Sequence, residues 1–278
     1  MSTFAMVLVL AAALLHASWN AMVKASGDRE ITLATIALGH VVFGAVLAMF
    51  VPLPGWQAAP WIAASTVIHW GYYWAIFHGY RLGDLSLVYP ISRGTAPMLV
   101  ALGAFVVLGE AVGGAGALGI AAISGGVLLL AVGSIRRGVD STAVLLGLAL
   151  GVIIASYSVV DGTGARLAET SLAYIAWLFI CEGIVAFWLL WRRRQDLRGL
   201  GLRSWSFGLT GGVASALAYG LAIHAKTIAP VALVSALRET SVIVAALIGT
   251  LLFAERPLLP RLLASCIVVL GIVAIALA

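Results

Sequence analysis

The chain has 278 residues, of which 63% are hydrophobic and only 10% charged, and its mean hydropathy is +1.11. A soluble core of this size needs a polar shell that this composition excludes, so the chain reads as a membrane protein. The net charge of +5 does not imply a nucleic-acid partner, because basic residues cluster in short connections such as Arg192, Arg193, Arg194, Arg198 and Arg203, where anionic headgroups and topology account for them.

Apolar stretches of about 20 residues, the length that crosses a bilayer as a helix, follow one another along nearly the whole chain. They fall near 3–23, 32–51, 59–80, 84–108, 113–134, 142–160, 171–191, 205–225, 230–253 and 257–277. Barrel strands would show shorter alternating segments, which the sequence lacks. The first stretch has no Lys or Arg ahead of it and no small-residue cleavage pattern, so it reads as a first helix and not a signal peptide.

Several spans carry polar side chains. In the first, His16, Trp19 and Asn20 recur at helical spacing and share a face; in the third, His69 and Tyr73 do so; His40 lies in the second. The fourth span holds Tyr89 and Arg93 on one face. Prolines 90 and 97 flank that arginine, which predicts a kink there. Tyr157 and Asp161 share a face at the end of the sixth span, and Glu182 is central in the seventh. The ninth carries Arg238 and Glu239; Pro230 and Pro257 only open helices, so no kink is predicted in the ninth. Cys181 and Cys266 lie within apolar runs and act as small hydrophobes, so neither a disulfide nor a metal site is expected.

A charge at mid-bilayer costs about 2.5–3.5 kcal/mol on insertion scales, so Arg93, Arg238, Glu239 and Glu182 each need a partner, a wet cavity or a function. Arginine stays protonated, so both guanidinium groups require anions. Glu239 follows Arg238 directly and diverges from it by about 100 degrees on a helix, which favours pairing across distant spans. The expectation is that Glu239 and Glu182 partly neutralise Arg93 and Arg238 and leave guanidinium donors for a carboxylate or phosphate-like group. Trp19, Asn20, His69, Tyr73, Tyr89 and Tyr157 complete the candidate substrate-binding set. A closed ion-pair cluster that never meets substrate is the structural alternative, and for His16, His40 and His69 a satisfied buried histidine is the simpler reading.

The sequence also repeats itself. Arg93 to Glu110 and Arg238 to Glu255 align at an offset of 145 residues, which places Arg81 on Lys226, Thr95 on Thr240 and Gly126 on Gly271. At a slightly different offset, Ala17-Ser18-Trp19 faces Ala155-Ser156-Tyr157. Two homologous halves, 1–135 and 140–278, follow, and duplication on this scale is how many secondary transporters are built.

With five spans per half, Gly-Glu or Ala-Glu ending the fourth span of each half and Gly126 or Gly271 late in the fifth, the chain resembles the EamA-domain exporters of the drug/metabolite transporter superfamily. The resemblance covers essentially the whole chain. It implies an all-α membrane protein of ten transmembrane helices, two inverted five-helix repeats around a central cavity, working by alternating access. Amino-acid exporters are well represented in that superfamily, alongside carriers of nucleotide sugars, drugs and phosphorylated metabolites.

Together these readings point to export of small polar or zwitterionic metabolites, amino acids first, across the cytoplasmic (inner) membrane of a bacterium. An arginine engages the carboxylate, Glu239 or Glu182 receives the ammonium, and Trp19, Tyr73, Tyr89 and Tyr157 hold the side chain. Lipid-linked or phosphorylated metabolites, flipping of lipids, and multidrug export are the alternatives. Protonation of Glu182 or Glu239 offers proton coupling, with uniport and exchange equally compatible. No cofactor, metal, nucleic-acid partner or enzymatic activity is expected, since no HExxH pair or comparable catalytic set is present, and a monomer is expected. The Lys and Arg count in alternate loops puts both termini outside the cytoplasm, whereas the resemblance implies cytoplasmic termini.

Overall fold

The computed structural model describes the backbone of residues 1–82, 85–132, 141–197, 199–253 and 258–277, with side chains there except at 29, 76–82, 85–86, 252–253 and 258. Arg81, Arg198, Glu255 and Pro257, all used in reading the sequence, lie outside the described side chains. The described residues form helices throughout and no strand. In chain order these are α1 (Thr3–Ala25), α2 (Arg29–Ala48), α3 (Ala59–Leu82), α4 (Leu85–Leu108), α5 (Gly114–Leu129), α6 (Ser141–Leu167), α7 (Ser171–Cys181), α8 (Gly183–Arg192), α9 (Arg194–Leu197), α10 (Leu202–Ile228), α11 (Val231–Arg238), α12 (Ser241–Phe253) and α13 (Leu258–Ala276). Among them, eight helical stretches are long and apolar enough to cross a membrane, counting α7 with α8 and α11 with α12 as one stretch each.

Polarity is arranged as a bilayer requires. Large apolar side chains such as Phe4, Leu14, Val106, Leu145, Phe187 and Leu251 lie exposed on the outside, while Ser65, His69, Arg93, Asp161, Glu182, Lys226 and Glu239 are buried within. Lipid solvates the outer face, and the interior supplies partners for the polar groups. Each of the six most extensive helix pairings joins a helix before residue 135 to one after residue 140: α4–α6, α5–α13, α1–α10, α2–α10, α3–α6 and α2–α7. The two parts of the chain therefore interleave, and anything at the centre is built from both.

Short connections make successive helices antiparallel and define two ends. At the basic end, Arg193 after α8 reaches Asp28 Oδ2 at 2.8 Å and Glu30 Oε2 at 2.7 Å at the start of α2, and Asp196 Oδ2 at 2.6 Å. At the other end, which we call the latch end, Arg166 of α6 pairs with Glu110 after α4 at 2.6 Å.

The fourth and ninth spans differ in continuity, and the ninth departs from expectation. α4 runs unbroken through Pro90 and Pro97. It packs closely on α6: a Cβ at Gly147 would sit 2.8 Å from Ile91 Cβ, and one at Gly151 would collide with Thr95 Oγ1, so α6 approaches α4 at glycine positions. The ninth span, predicted to be regular, is interrupted at Glu239–Thr240 between α11 and α12. There Glu239, Thr240, Val242 and Ile243 all donate to carbonyls three residues back, at 2.9–3.0 Å. The seventh span tightens in the same way at Glu182, whose carbonyl accepts from Val185 N–H at 3.1 Å. A short 3₁₀ turn inside a helix is a common hinge geometry, and here both such turns coincide with a buried carboxylate.

Candidate functional site

A cavity of about 170 Å³ lies between the two interleaved parts. For scale, about 150 Å³ accommodates benzene in an engineered core. Nine of the ten sequence-predicted site residues line it: Trp19, Asn20, His69, Tyr73, Tyr89, Arg93, Tyr157, Glu182 and Arg238. The tenth, Glu239, lines a smaller adjoining cavity together with Arg93, Arg238, Ser158, Lys226 and Ser235.

Arg93 is 4% exposed and its Nε lies 3.0 Å from Glu239 Oε2, an ion pair between α4 and the α11–α12 junction. Its second contact is with α1, where an amino group meets His16 Nε2 at 3.3 Å. Since the guanidinium only donates, His16 Nε2 accepts there. Asn20 shares that nitrogen at 3.3 Å and donates to the His16 carbonyl at 2.7 Å. The expected long-range neutralisation of Arg93 by Glu239 is thus present as geometry.

Arg238 is arranged differently. Its guanidinium carbon lies 4.9 Å from the centre of the Tyr219 ring, an attractive cation–π arrangement, and its buried Nε has no hydrogen-bond acceptor among the described residues. The expectation that Glu182 neutralises an arginine is overturned. Glu182 Oε1 and Oε2 lie 3.4 Å from His69 Nδ1 and 3.6 Å from His40 Nδ1, respectively. The reason is position: Glu182 comes from the α7–α8 junction, which packs on α2 and α3, whereas Arg93 and Arg238 come from α4 and α11, which pack on each other. His40 thus faces the Glu182 carboxylate, and neither of its ring nitrogens forms a hydrogen bond among the described residues.

Aromatic rings wall the cavity. Tyr157 stacks on His69 with ring centres 4.5 Å apart and meets Tyr72 and Tyr219 edge-on at 5.9 Å. Trp19 meets His16 edge-on at 5.3 Å. Tyr89 is 42% exposed, so it forms the rim of the cavity and not its interior.

The cavity occupies one half of the molecule's depth. Toward the basic end it reaches Val23 in the last turn of α1, Leu33 in the second turn of α2 and Val88 in the first turn of α4. Toward the latch end it stops at Tyr157 and Tyr219, more than two turns short of where α6 and α10 finish. Bonded polar groups fill the remainder. Asp161, fully buried, accepts from Tyr174 Oη at 2.9 Å and from Tyr219 Oη through a very short contact. Lys226, 1% exposed, donates from Nζ to the Ser158 carbonyl at 3.2 Å.

The latch itself follows from helix-end chemistry. Gly109 takes φ +66, a left-handed conformation that suits glycine and ends α4. Glu110 then accepts from Val231 N–H at 2.8 Å, satisfying an otherwise unpaired amide at the positive end of α11. Arg166, besides pairing with Glu110, donates to the carbonyls of Lys226 at 2.8 Å and Ala229 at 3.0 Å, where α10 finishes. Sequence reasoning saw the Gly-Glu dipeptide only as a repeat mark. Arg166 and Lys226 as the only basic residues in the alternate loops at this end were the available signal for this cluster, while Tyr219 and Tyr174 gave none.

A multi-pass helical membrane protein with a buried, charged, aromatic-walled cavity between interleaved helices is what the geometry defines. Residues 141–277 match the EamA-like transporter family. The chain is an EamA-domain membrane protein of the drug/metabolite transporter superfamily. A crystal structure of a protein with 19% sequence identity superimposes with a TM-score of 0.77, covering 100% of this chain and 98% of the other, a likeness of fold. A search of the curated proteins returned no match.

Proposed function

We propose that this protein is a secondary transporter that exports small zwitterionic metabolites, amino acids foremost, from a bacterial cell by alternating access. One observation carries the reading: a single cavity is lined by Arg238, whose Nε has no hydrogen-bond acceptor among the described residues, and by Glu182, whose Oε1 has no hydrogen-bond donor among them. A zwitterion supplies the missing partner to each, and a two-point, charge-assisted fit of this kind is both strong and geometrically selective. Arg238 takes the substrate carboxylate, Glu182 takes the ammonium group, and Trp19, Tyr73, Tyr89 and Tyr157 surround the side chain. Arg93, committed to Glu239, supports the site electrostatically. Asn20 and His69 hold its walls. A lipophilic cation would leave Arg238 unpaired, which disfavours a multidrug role.

In this reading ten crossings form two inverted five-helix repeats, 1–135 and 140–278, acting as a monomer. The packing supports it. If α1 to α5 are exchanged with α6, α7–α8, α10, α11–α12 and α13 in order, the pairing of α4 with α6 becomes that of α11–α12 with α1, the pairing of α1 with α10 becomes that of α6 with α3, and α5–α13 and α2–α7 map onto themselves; all of these pairings occur. The cavity that reaches the basic end and stops below the latch end corresponds to one of the two states such a carrier alternates between. By the positive-inside rule the basic end faces the cytoplasm. A C-terminal reporter active only in the cytoplasm tests this, and strong activity would reverse the orientation.

Counterflow into vesicles containing the purified protein tests the substrate. Vesicles preloaded with L-phenylalanine accumulate labelled L-phenylalanine, and Arg238→Ala abolishes the accumulation. Binding of cationic drugs with no exchange of any amino acid would overturn the reading.

A further inference from the structure

A second cavity, of about 10 Å³, adjoins the large one and lies between α4, α6, α10 and the α11–α12 junction. That is room for one particle the size of a water molecule, and too little for a carboxylate or phosphate group. Its charged walls are unbalanced. Arg93, Lys226 and Arg238 line it, with Glu239 as the only carboxylate among the described residues. Glu239 is committed to Arg93 at 3.0 Å. Asp161, a further buried acid, does not line the cavity and accepts from Tyr174 and Tyr219. With each group in its ordinary ionised form, counting both acids still leaves one positive charge unanswered, and an unanswered charge at this depth is costly.

The two cations without an acid crowd one ring. Lys226 Nζ lies 5.9 Å and Arg238 Cζ 4.9 Å from the centre of Tyr219. The ring attracts each of them but does not relieve the repulsion between the two. Hydrogen-bonding capacity is left over at the same place. Lys226 Nζ donates to the Ser158 carbonyl at 3.2 Å, although an ammonium group has three hydrogens to give. Arg238 Nε and the Ser235 hydroxyl, both buried, have no hydrogen-bond partner among the described residues. Ammonium and guanidinium groups only donate, and a serine hydroxyl can turn to donate, so one negatively charged acceptor satisfies all three. A water molecule fills the same space but brings no charge.

We propose that the small cavity is a halide site that holds one chloride ion between Lys226 Nζ, Arg238 Nε and Ser235 Oγ. The ion brings the cluster of Arg93, Lys226, Arg238, Glu239 and Asp161 to neutrality. It ties the end of α10 to α11 just ahead of the Glu239–Thr240 turn, and so braces the element that carries Arg238 and Glu239. Arg238 lines both cavities, and the ion holds its guanidinium from the small one while leaving the remaining donors to the large one. The hydroxyl has no counterpart in the first half of the chain, where Pro90 stands at the position of Ser235. The site does not depend on what the large cavity carries.

The test uses the purified full-length protein in detergent at constant ionic strength, with chloride or bromide replacing gluconate, an anion too large for the cavity. The wild-type Tm climbs by equal steps for each tenfold rise in halide above the dissociation constant, as mass action requires. Ser235→Ala removes one charge-assisted hydrogen bond and moves the halide dependence to about tenfold higher concentration, while Lys226→Met abolishes it. In crystals of the wild type grown with bromide, anomalous scattering gives one peak in the small cavity. That measurement needs no variant, so it decides the matter if Lys226→Met does not fold, and it decides where stability and scattering disagree. Equal Tm in chloride and gluconate with no bromide peak in the cavity, an ordered water only, overturns the proposal. A halide-dependent Tm that Ser235→Ala and Lys226→Met leave unchanged, with the bromide peak elsewhere, overturns it too. Every arm omits substrate, so failure of the halide site shows here and failure of the zwitterion reading shows in counterflow.

Discussion

The two ends of this molecule are built from the same kinds of residue and do opposite things. Toward the basic end, Glu182, Arg238 and His40 line open volume, and Glu182 Oε1, Arg238 Nε and both His40 nitrogens form no hydrogen bond among the described residues. Toward the latch end, Glu110 and Arg166 at the helix ends and the buried Asp161 and Lys226 are equally charged, yet each is bonded, to helix ends, tyrosines or a backbone carbonyl. Charge inside a membrane protein is therefore not a sign of a binding site by itself. The distinction is whether the protein has already supplied the partner, since an unpaired buried charge is costly and a bonded one is structural.

That contrast can be broken at several points. The largest effect is expected from Glu239→Ala, which strands the Arg93 guanidinium in a buried position; loss of one partner of a buried pair costs about 3–5 kcal/mol, read as a lowered apparent Tm in detergent, with recovery in the double variant Arg93→Met/Glu239→Met. Next comes Arg238→Ala, which removes a charge-assisted contact to the substrate carboxylate worth about 1.5–3 kcal/mol and raises the apparent Kd for L-phenylalanine by about ten- to a hundredfold while leaving the Tm near wild type, because Arg238 forms no ion pair among the described residues. Unlatching by Arg166→Ala gives a smaller shift. It leaves Glu110 and the α10 carbonyls to water, which favours opening at the latch end; with Cys181 and Cys266 replaced by alanine, a cysteine at Ser235 labels faster with an impermeant thiol reagent added to that end. Unchanged labelling would mean the latch does not control the closure. Arg193→Ala is expected to do least. Its partners Asp28 and Asp196 are exposed, ion pairs of that kind contribute at most about 1 kcal/mol, and the Tm change shrinks further in high salt.

Much of the fold was legible in the chain, since span length and hydropathy depend only on local composition. Every predicted span falls on a helix or on a pair of helices sharing one line. The polar residues singled out by helical spacing mostly face the cavity, because an arginine or glutamate in an apolar span has nowhere else to be satisfied. The helix irregularities were not legible. Proline at 90 and 97 is the stronger local signal for a break, yet α4 is continuous through both, while the turns at Glu182 and Glu239 have no glycine or proline within the turn to announce them beyond Gly183. Nor was the pairing of Glu182, whose histidines are 142 and 113 residues away in sequence.

The sequence on its own determined that the chain lies in a membrane, roughly where each helix begins and ends, and which side chains are too polar to face lipid. These follow from the transfer of each segment out of water, which is additive along the chain. Only the tertiary structure decided which of those polar groups satisfy one another, which end is sealed and which carries the cavity. Those outcomes depend on which helices interleave, and a shift of one turn, about 5.4 Å, is enough to exchange an arginine partner for a histidine.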